Sequence, residues 1–175
     1  RLTFDLILGS PSFINPVRNR ELDLRGNKIP FIENLGATQD QYDTIDFTDN
    51  EISKLENFPL LNQLTTLIMH NNRITKIATN ISTCIPNLEW LMLNNNRISE
   101  LNDLKPLEQC KKLTHLSLID NPITSKQNYR LYVIHSIPSL RMLDFKKVKL
   151  REKKEAKALF GTGAATFEPG EAIKK

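Results

Sequence analysis

Hydrophobic and polar positions along the chain fall into one eight-residue phrase that returns five times: apolar-x-apolar-x-x-Asn-x-Ile. It reads Leu22-x-Leu24-x-x-Asn27-x-Ile29, Ile45-x-Phe47-x-x-Asn50-x-Ile52 and Leu67-x-Met69-x-x-Asn72-x-Ile74. Leu91-x-Leu93-x-x-Asn96-x-Ile98 and Leu116-x-Leu118-x-x-Asn121-x-Ile123 complete the series. Successive asparagines are 23, 22, 24 and 25 residues apart, a regular advance that marks stacked repeats. A sixth unit keeps the apolar alternation through Leu143, Phe145, Val148 and Leu150, with Val148 where the asparagine would fall. The period-2 portion of each unit predicts a short strand with two apolar side chains in the core and the residues between them facing away. The asparagine predicts a sharp turn whose buried backbone groups its amide can pair. The following Ile, with Ile32, Leu55, Ile77 and Leu101 three residues further on, predicts the opposite wall of the core.

Repeats of this length lie within the roughly 20–29 residue window of leucine-rich repeats. The predicted fold is an α/β leucine-rich-repeat solenoid, with a parallel sheet on the concave face and helices and turns on the convex face. A solenoid must cover its terminal repeats. The apolar stretch Leu2 to Leu8 is the expected N-terminal cover. At the other end, Asn128 to His135 reads as a helix with Leu131 and Ile134 on one face, followed by Pro138 and the degenerate sixth strand. From Gly161 onward no period remains. The expected organisation is a capped repeat domain over residues 1–160, with its solenoid from 17 to 150, and a flexible tail over 161–175.

Strand alternation also gives the concave face: Glu21, Asp23 and Arg25; Thr44, Asp46 and Thr48; Thr66, Ile68 and His70; Trp90, Met92 and Asn94. His115, Ser117 and Ile119 follow, then Met142, Asp144 and Lys146. This face is acidic at its start and apolar in its middle, and it carries the protein's single tryptophan. An aromatic anchor in an apolar centre with a charged rim suits a protein helix better than a phosphate backbone. The partner-binding candidates are Glu21, Asp23, Asp46, Ile68, His70, Trp90, Met92, His115 and Ile119.

Composition narrows the function further. Cys84 and Cys110 sit in different repeats without cysteine-rich flanks, which points to a reducing compartment. No apolar run approaches the roughly 18 residues that span a bilayer. The chain opens on Arg1, without Met, and reads as a trimmed piece. The formal net charge of +4 is uneven: between Lys146 and Lys157 seven basic residues face two glutamates. That run is either a solvated cap helix or a patch placed for nucleic acid. No phosphate-binding glycine loop, hydrolase triad order or Cys/His cluster is present. His70 and His115 fall two strands apart, near 9–10 Å at the usual spacing, which is too far for one metal without a third ligand. Asp23 and Asp46 read as docking points for a basic partner. The chain is expected to be no enzyme and to need no cofactor.

Several segments are more specific than the repeat: RELDLRGNKIPFIENLGATQ (20–39), DFTDNEI (46–52), FPLL (58–61), NPIT (121–124) and YRLYVIHSIPSLRMLDFKKVKLR (129–151). Together they resemble the A-prime family of the spliceosomal U2 small nuclear ribonucleoprotein over residues 17–155. The resemblance implies a nuclear, non-enzymatic scaffold of pre-mRNA splicing. Its concave face would grip a helix of the RNA-recognition-motif protein B-double-prime, and the pair would bind a stem-loop of U2 small nuclear RNA mainly through that partner. Basic side chains near the solenoid ends approach the RNA in that family, which here would be Arg25, Lys146, Lys147, Lys149 and Arg151. No membrane and no small-molecule substrate are implied. The competing reading is a leucine-rich-repeat regulatory subunit that docks on a phosphatase or a motor protein without RNA.

Overall fold

The computed structural model describes residues 1–161. In chain order the elements are α1 (Phe4–Gly9), β1 (Ser12–Ile14), β2 (Arg20–Asp23), β3 (Thr44–Asp46), β4 (Lys54–Leu55), β5 (Thr66–Ile68), β6 (Lys76–Ile77) and α2 (Ile81–Cys84). They continue with β7 (Trp90–Met92), β8 (His115–Ser117), α3 (Tyr129–Ser136), β9 (Met142–Leu143), β10 (Lys146–Lys147) and α4 (Leu150–Phe160), with 3-10 segments at Leu35–Thr38, Leu101–Gln109 and Pro122–Ser125. One sheet runs β1-β2-β3-β5-β7-β8-β9-β10. Its six inner strands, one per repeat, are parallel, and the flanking β1 and β10 are antiparallel to their neighbours. A second, two-stranded sheet pairs β4 with β6.

Register follows from the repeat. Leu22, Ile45, Leu67, Leu91, Leu116 and Leu143 pair side by side across the strands and are essentially fully buried. Leu24, Phe47, Met69, Leu93 and Leu118 are likewise inside, as are Ile29, Ile52, Ile74, Ile98 and Ile123. Both cysteines are free. No helix among the described residues is long and apolar enough to cross a membrane.

The asparagines stitch one repeat to the next. Asn50 Nδ2 donates to Leu24 O (2.9 Å) and Phe47 O (2.8 Å), while its Oδ1 accepts from Asn27 N and Ile29 N, both at 3.0 Å. Asn72 donates to Phe47 O and Met69 O, Asn96 to Met69 O and Leu93 O, and Asn121 to Leu93 O and Leu118 O. Each Oδ1 accepts an N–H from the preceding repeat: Ile52, Ile74 and Ile98 in turn. The residue just before each repeat asparagine has positive φ: Gly26, Asp49, Asn71, Asn95 and Asp120. Only Gly, Asn and Asp occupy this left-handed position, the residue types that tolerate it best.

Each end of the sheet is closed by an antiparallel strand. At the N-terminus, Thr3 Oγ1 accepts from Leu6 N at the start of α1, and Leu2 and Ile7 seal the first repeat. At the C-terminus, α3 buries Tyr129, Tyr132, Val133 and Ile134, whereas Leu131 is only half-buried. The sixth unit does not continue the repeat. Asp144 and Phe145 both adopt positive φ, so the chain turns back as a hairpin, and Phe145 is 57% exposed instead of filling the core. Lys146 therefore lies on the antiparallel edge strand β10 and not in a concave row. Asp144 does not face the groove as an open carboxylate either, because its oxygens accept from Leu118 N (2.7 Å) and Tyr129 OH (2.9 Å). The expected tail falls, from residue 162 on, outside the described residues.

Replacing Asn72 by Leu tests the stitching. Phe47 O and Met69 O would keep Asn50 and Asn96 as donors, but Ile52 N–H would lose the Asn72 acceptor. A buried unpaired donor costs about 1–3 kcal/mol, and each kcal/mol lowers Tm by roughly 2–4 °C at this size. Thermal and urea unfolding of Asn72→Leu should show this loss. An unchanged Tm would show that the turn amide is dispensable.

Candidate functional site

Two registered rows of side chains cross the concave face. The first runs Glu21, Thr44, Thr66, Trp90, His115 and Met142, and the second runs Asp23, Asp46, Ile68, Met92 and Ser117. A third position, just past each strand, holds Arg25, Thr48, His70, Asn94 and Ile119. The repeat register thus brings the nine expected partner-binding residues onto one surface.

Trp90 is 40% exposed and lies flat on His115, with ring centroids 3.7 Å apart and planes 4° from parallel. Burial pushes the His115 pKa down, and the nearby Arg141 adds to the shift. Burial also lowers the His70 pKa. His70 Nδ1 accepts the Asn94 backbone N–H at 3.1 Å, which requires a ring unprotonated at that nitrogen. Both shifts favour the uncharged imidazole, a flat and weakly polar surface. Among the described residues, no group of three or more His, Cys, Asp or Glu side chains is placed to hold a metal ion.

Met92 points to the expected face but is only 7% exposed. It borders a cavity of about 100 Å³ with Trp90, His115, Met142 and Phe145. A larger one, about 410 Å³, lies on the other side of Trp90, with Ile68, Thr44 and Thr66 beneath and Asn15, Val17 and Asn19 at its edge. The sequence reading missed that last segment. Asn15 Oδ1 accepts from Val17 N and Asn19 N, which ties residues 15–19 into the tight loop of the β1–β2 hairpin. The Asn15-Pro16 pair was the signal for a turn there. Asn15 Nδ2 also donates to Glu21 Oε1 at 3.0 Å.

The acidic end is partly neutralised. Arg25 donates to both Asp23 oxygens at 3.0 Å and approaches Asp46 Oδ2 at 3.9 Å. The side-chain hydrogen bond from Arg25 holds the Asp23 carboxyl below the usual range. Asp46 is largely buried and accepts Thr48 N at 2.9 Å.

The structure does not bring the five basic candidates together. Arg25 follows β2, whereas Lys146 and Lys147 form β10, six strand steps away, or about 29 Å along the sheet. Lys149 and Arg151 flank the start of α4, and all four C-terminal cations are exposed. Arg130, a residue the sequence reading left without a role, fixes this edge. It donates to Glu152 Oε2 (2.6 Å) and Oε1 (3.2 Å) and to the carbonyls of Leu143, Lys146 and Lys147.

The model of the Leucine-rich repeat family matches residues 1–168, and this defines the class of protein. The chain is 58% identical over 168 residues to a U2 small nuclear ribonucleoprotein A′ of Arabidopsis thaliana, covering 96% of this chain and 68% of the relative. It is 55% identical over 160 residues to that of Homo sapiens, covering 91% of this chain and 63% of the relative. A crystal structure of the Drosophila melanogaster SNF/U2A′ complex contains a chain that superposes with a TM-score of 0.90 at 49% identity, over 94% of this chain and 95% of that one. The chain belongs to the U2 small nuclear ribonucleoprotein A′ family, and it spans about two thirds of the length of these two relatives.

Glu152 offers a pH test of the C-terminal edge. The Arg130 hydrogen bonds hold its pKa below the ordinary value. A depressed carboxylate contributes stability above its unfolded pKa and loses it as pH falls through the folded one. Glu152→Gln should therefore lower Tm at pH 7. The gap from the parent should close as pH falls through and below the ordinary glutamate range. A gap that persists at low pH would mean the Arg130–Glu152 pair is not its source.

Proposed function

We propose that this protein is a nuclear, non-enzymatic scaffold of the U2 small nuclear ribonucleoprotein. Its concave groove holds a helix of an RNA-recognition-motif protein of the B-double-prime type, and the pair presents a composite surface to a stem-loop of U2 small nuclear RNA. The observation that carries the reading is Trp90. A large aromatic side chain stands two-fifths exposed on the sheet, stacked on the His115 imidazole and flanked by a cavity on each side. Such anchors, set in a polar rim, dominate protein interfaces. Family membership and the solved SNF/U2A′ complex of a relative support a protein partner for this chain. The basic edge at Lys146–Arg151 lies beside the groove and suits phosphate approach once a partner is seated.

The direct test is titration of SNF from Drosophila melanogaster into the parent protein and Trp90→Ala. Removing a central anchor should weaken binding by about 2–4 kcal/mol with little change in Tm. Undiminished binding would remove the groove from the interface. A large fall in Tm would instead make Trp90 a core residue.

RNA recognition is tested separately. Replacing Lys147, Lys149 and Arg151 by Ala should leave binary SNF binding intact but weaken the ternary complex with a U2 stem-loop. Each lost phosphate contact should also flatten the salt slope by up to about 0.9. Equal ternary binding by variant and parent at every salt concentration would reduce this edge to a solvated cap.

A further inference from the structure

The stacked Trp90 and His115 rings stand in the middle of the groove, and a cavity opens on either side of them. The larger one, about 410 Å³, lies over β2 to β7; Val17, Ile68 and Trp90 form its apolar lining, and Glu21 with neighbouring Asn and Thr side chains forms the polar remainder. The smaller one, about 100 Å³, lies over β7 to β9 between Met92, Met142 and Phe145. Trp90 borders both. We propose that these cavities are two side-chain pockets that read a pair of apolar residues two turns apart on one docked helix, with the bulkier residue on the Val17 side. The inference rests on the concave face being the partner groove.

Spacing carries the argument. The larger cavity centres near β3 and β5, and the smaller over β8, so two to three strand steps separate them. At about 4.8 Å per step this is roughly 10–14 Å. On an α-helix, residues i and i+7 are about 10.5 Å apart and return to nearly the same face. Residues three or four apart cover only about 5–6 Å and would leave one pocket empty. The helix must therefore lie across the strands with the Trp90 indole under its middle turn.

Charge decides the kind of occupant. The rim beside the larger pocket carries Glu21, Asp23 and Asp46; of the nearby cations, Arg25 is already bonded to Asp23, and Arg18 is exposed in the loop between Val17 and Asn19. The three carboxylates of that rim complement a helix bearing a basic residue at that end. The pocket walls are offered for contact: Val17 is 74% exposed and Phe145 57%.

The experiment uses SNF as the probe, with Val17→Asp and Phe145→Asp as first variants and the two Ala variants as a milder pair. Both positions are exposed, so the melting curves should match the parent's. Each Asp variant should weaken SNF binding ~10-fold or more, as expected for a charge set against a desolvated apolar anchor. An alanine scan of the SNF helices then supplies the register. Val17→Ala should be non-additive with one helix position, and Phe145→Ala with another seven residues away. Coupling of both to one position, or to positions three or four apart, would overturn the proposal, as would undiminished binding by either Asp variant. Trp90→Ala separates the two levels of the argument. Loss of SNF in that variant alone keeps the groove but removes the pockets, and SNF bound equally by all three variants removes both. Self-association of the isolated protein through this groove, in competition with SNF, would make a second copy the occupant and also overturn it.

Discussion

Four of the turns depend on one group: the amide of a side chain placed where the backbone bends most sharply. Phe47 O, Met69 O and Leu93 O each accept from two asparagines, one in their own repeat and one in the next. A carbonyl with two donors is fully paired although buried, which answers the usual objection to running loops through a core. The same bonds couple each repeat only to its neighbours, the one-dimensional arrangement expected of a solenoid. Because these four turns are closed by the same geometry, the inner strands arrive at a constant pitch, and the concave side chains inherit it. The straight rows across the groove follow from the turn chemistry on its edge.

Where the stitching stops, the chain needs another solution, and it uses the same one at both ends. Asn27 has no preceding turn to bridge and is half-buried, donating only to Arg25 O. Val148 cannot bridge at all. A hairpin closes the sheet on each side, β1 against β2 and β10 against β9, so the last parallel strand is never left as an open edge. Arg130 takes over part of the missing asparagine's work, pairing three carbonyls of the final turn with one guanidinium. The hairpin tips, Val17 and Phe145, then stand beside the groove as its two end walls.

This division explains what could be read from the residues. The repeat, the core rows and the membership of the concave face were legible because all three are consequences of one period. Details that depend on departures from the period were not. Phe145 occupies the position of Leu24 and Phe47 in its unit, yet two left-handed residues in succession send it to the surface. The β1–β2 loop precedes the first repeat and carries no repeat signal, so Val17 escaped notice. The repeat register sets Trp90 beside His115, but not the side-chain conformations that stack the two rings. Arg25 was legible as a cation but not as one already held by Asp23.

That last point separates the two ends of the molecule as partners for phosphate. The Arg25–Asp23 pair is solvent-facing, and exposed pairs of this kind contribute little net stability, so Arg25 can be released at small cost. Its release would, however, leave Asp23 and Asp46 with less neutralising charge beside any incoming phosphate. At the other end Arg130 absorbs Glu152, which leaves Lys146, Lys147, Lys149 and Arg151 exposed and without ion pairs among the described residues. The two edges are therefore unequal in the proposed assembly. In that proposal the C-terminal edge would meet RNA with its charges already free, while Arg25 would serve first as the cation that lets an acidic rim lie against a protein helix.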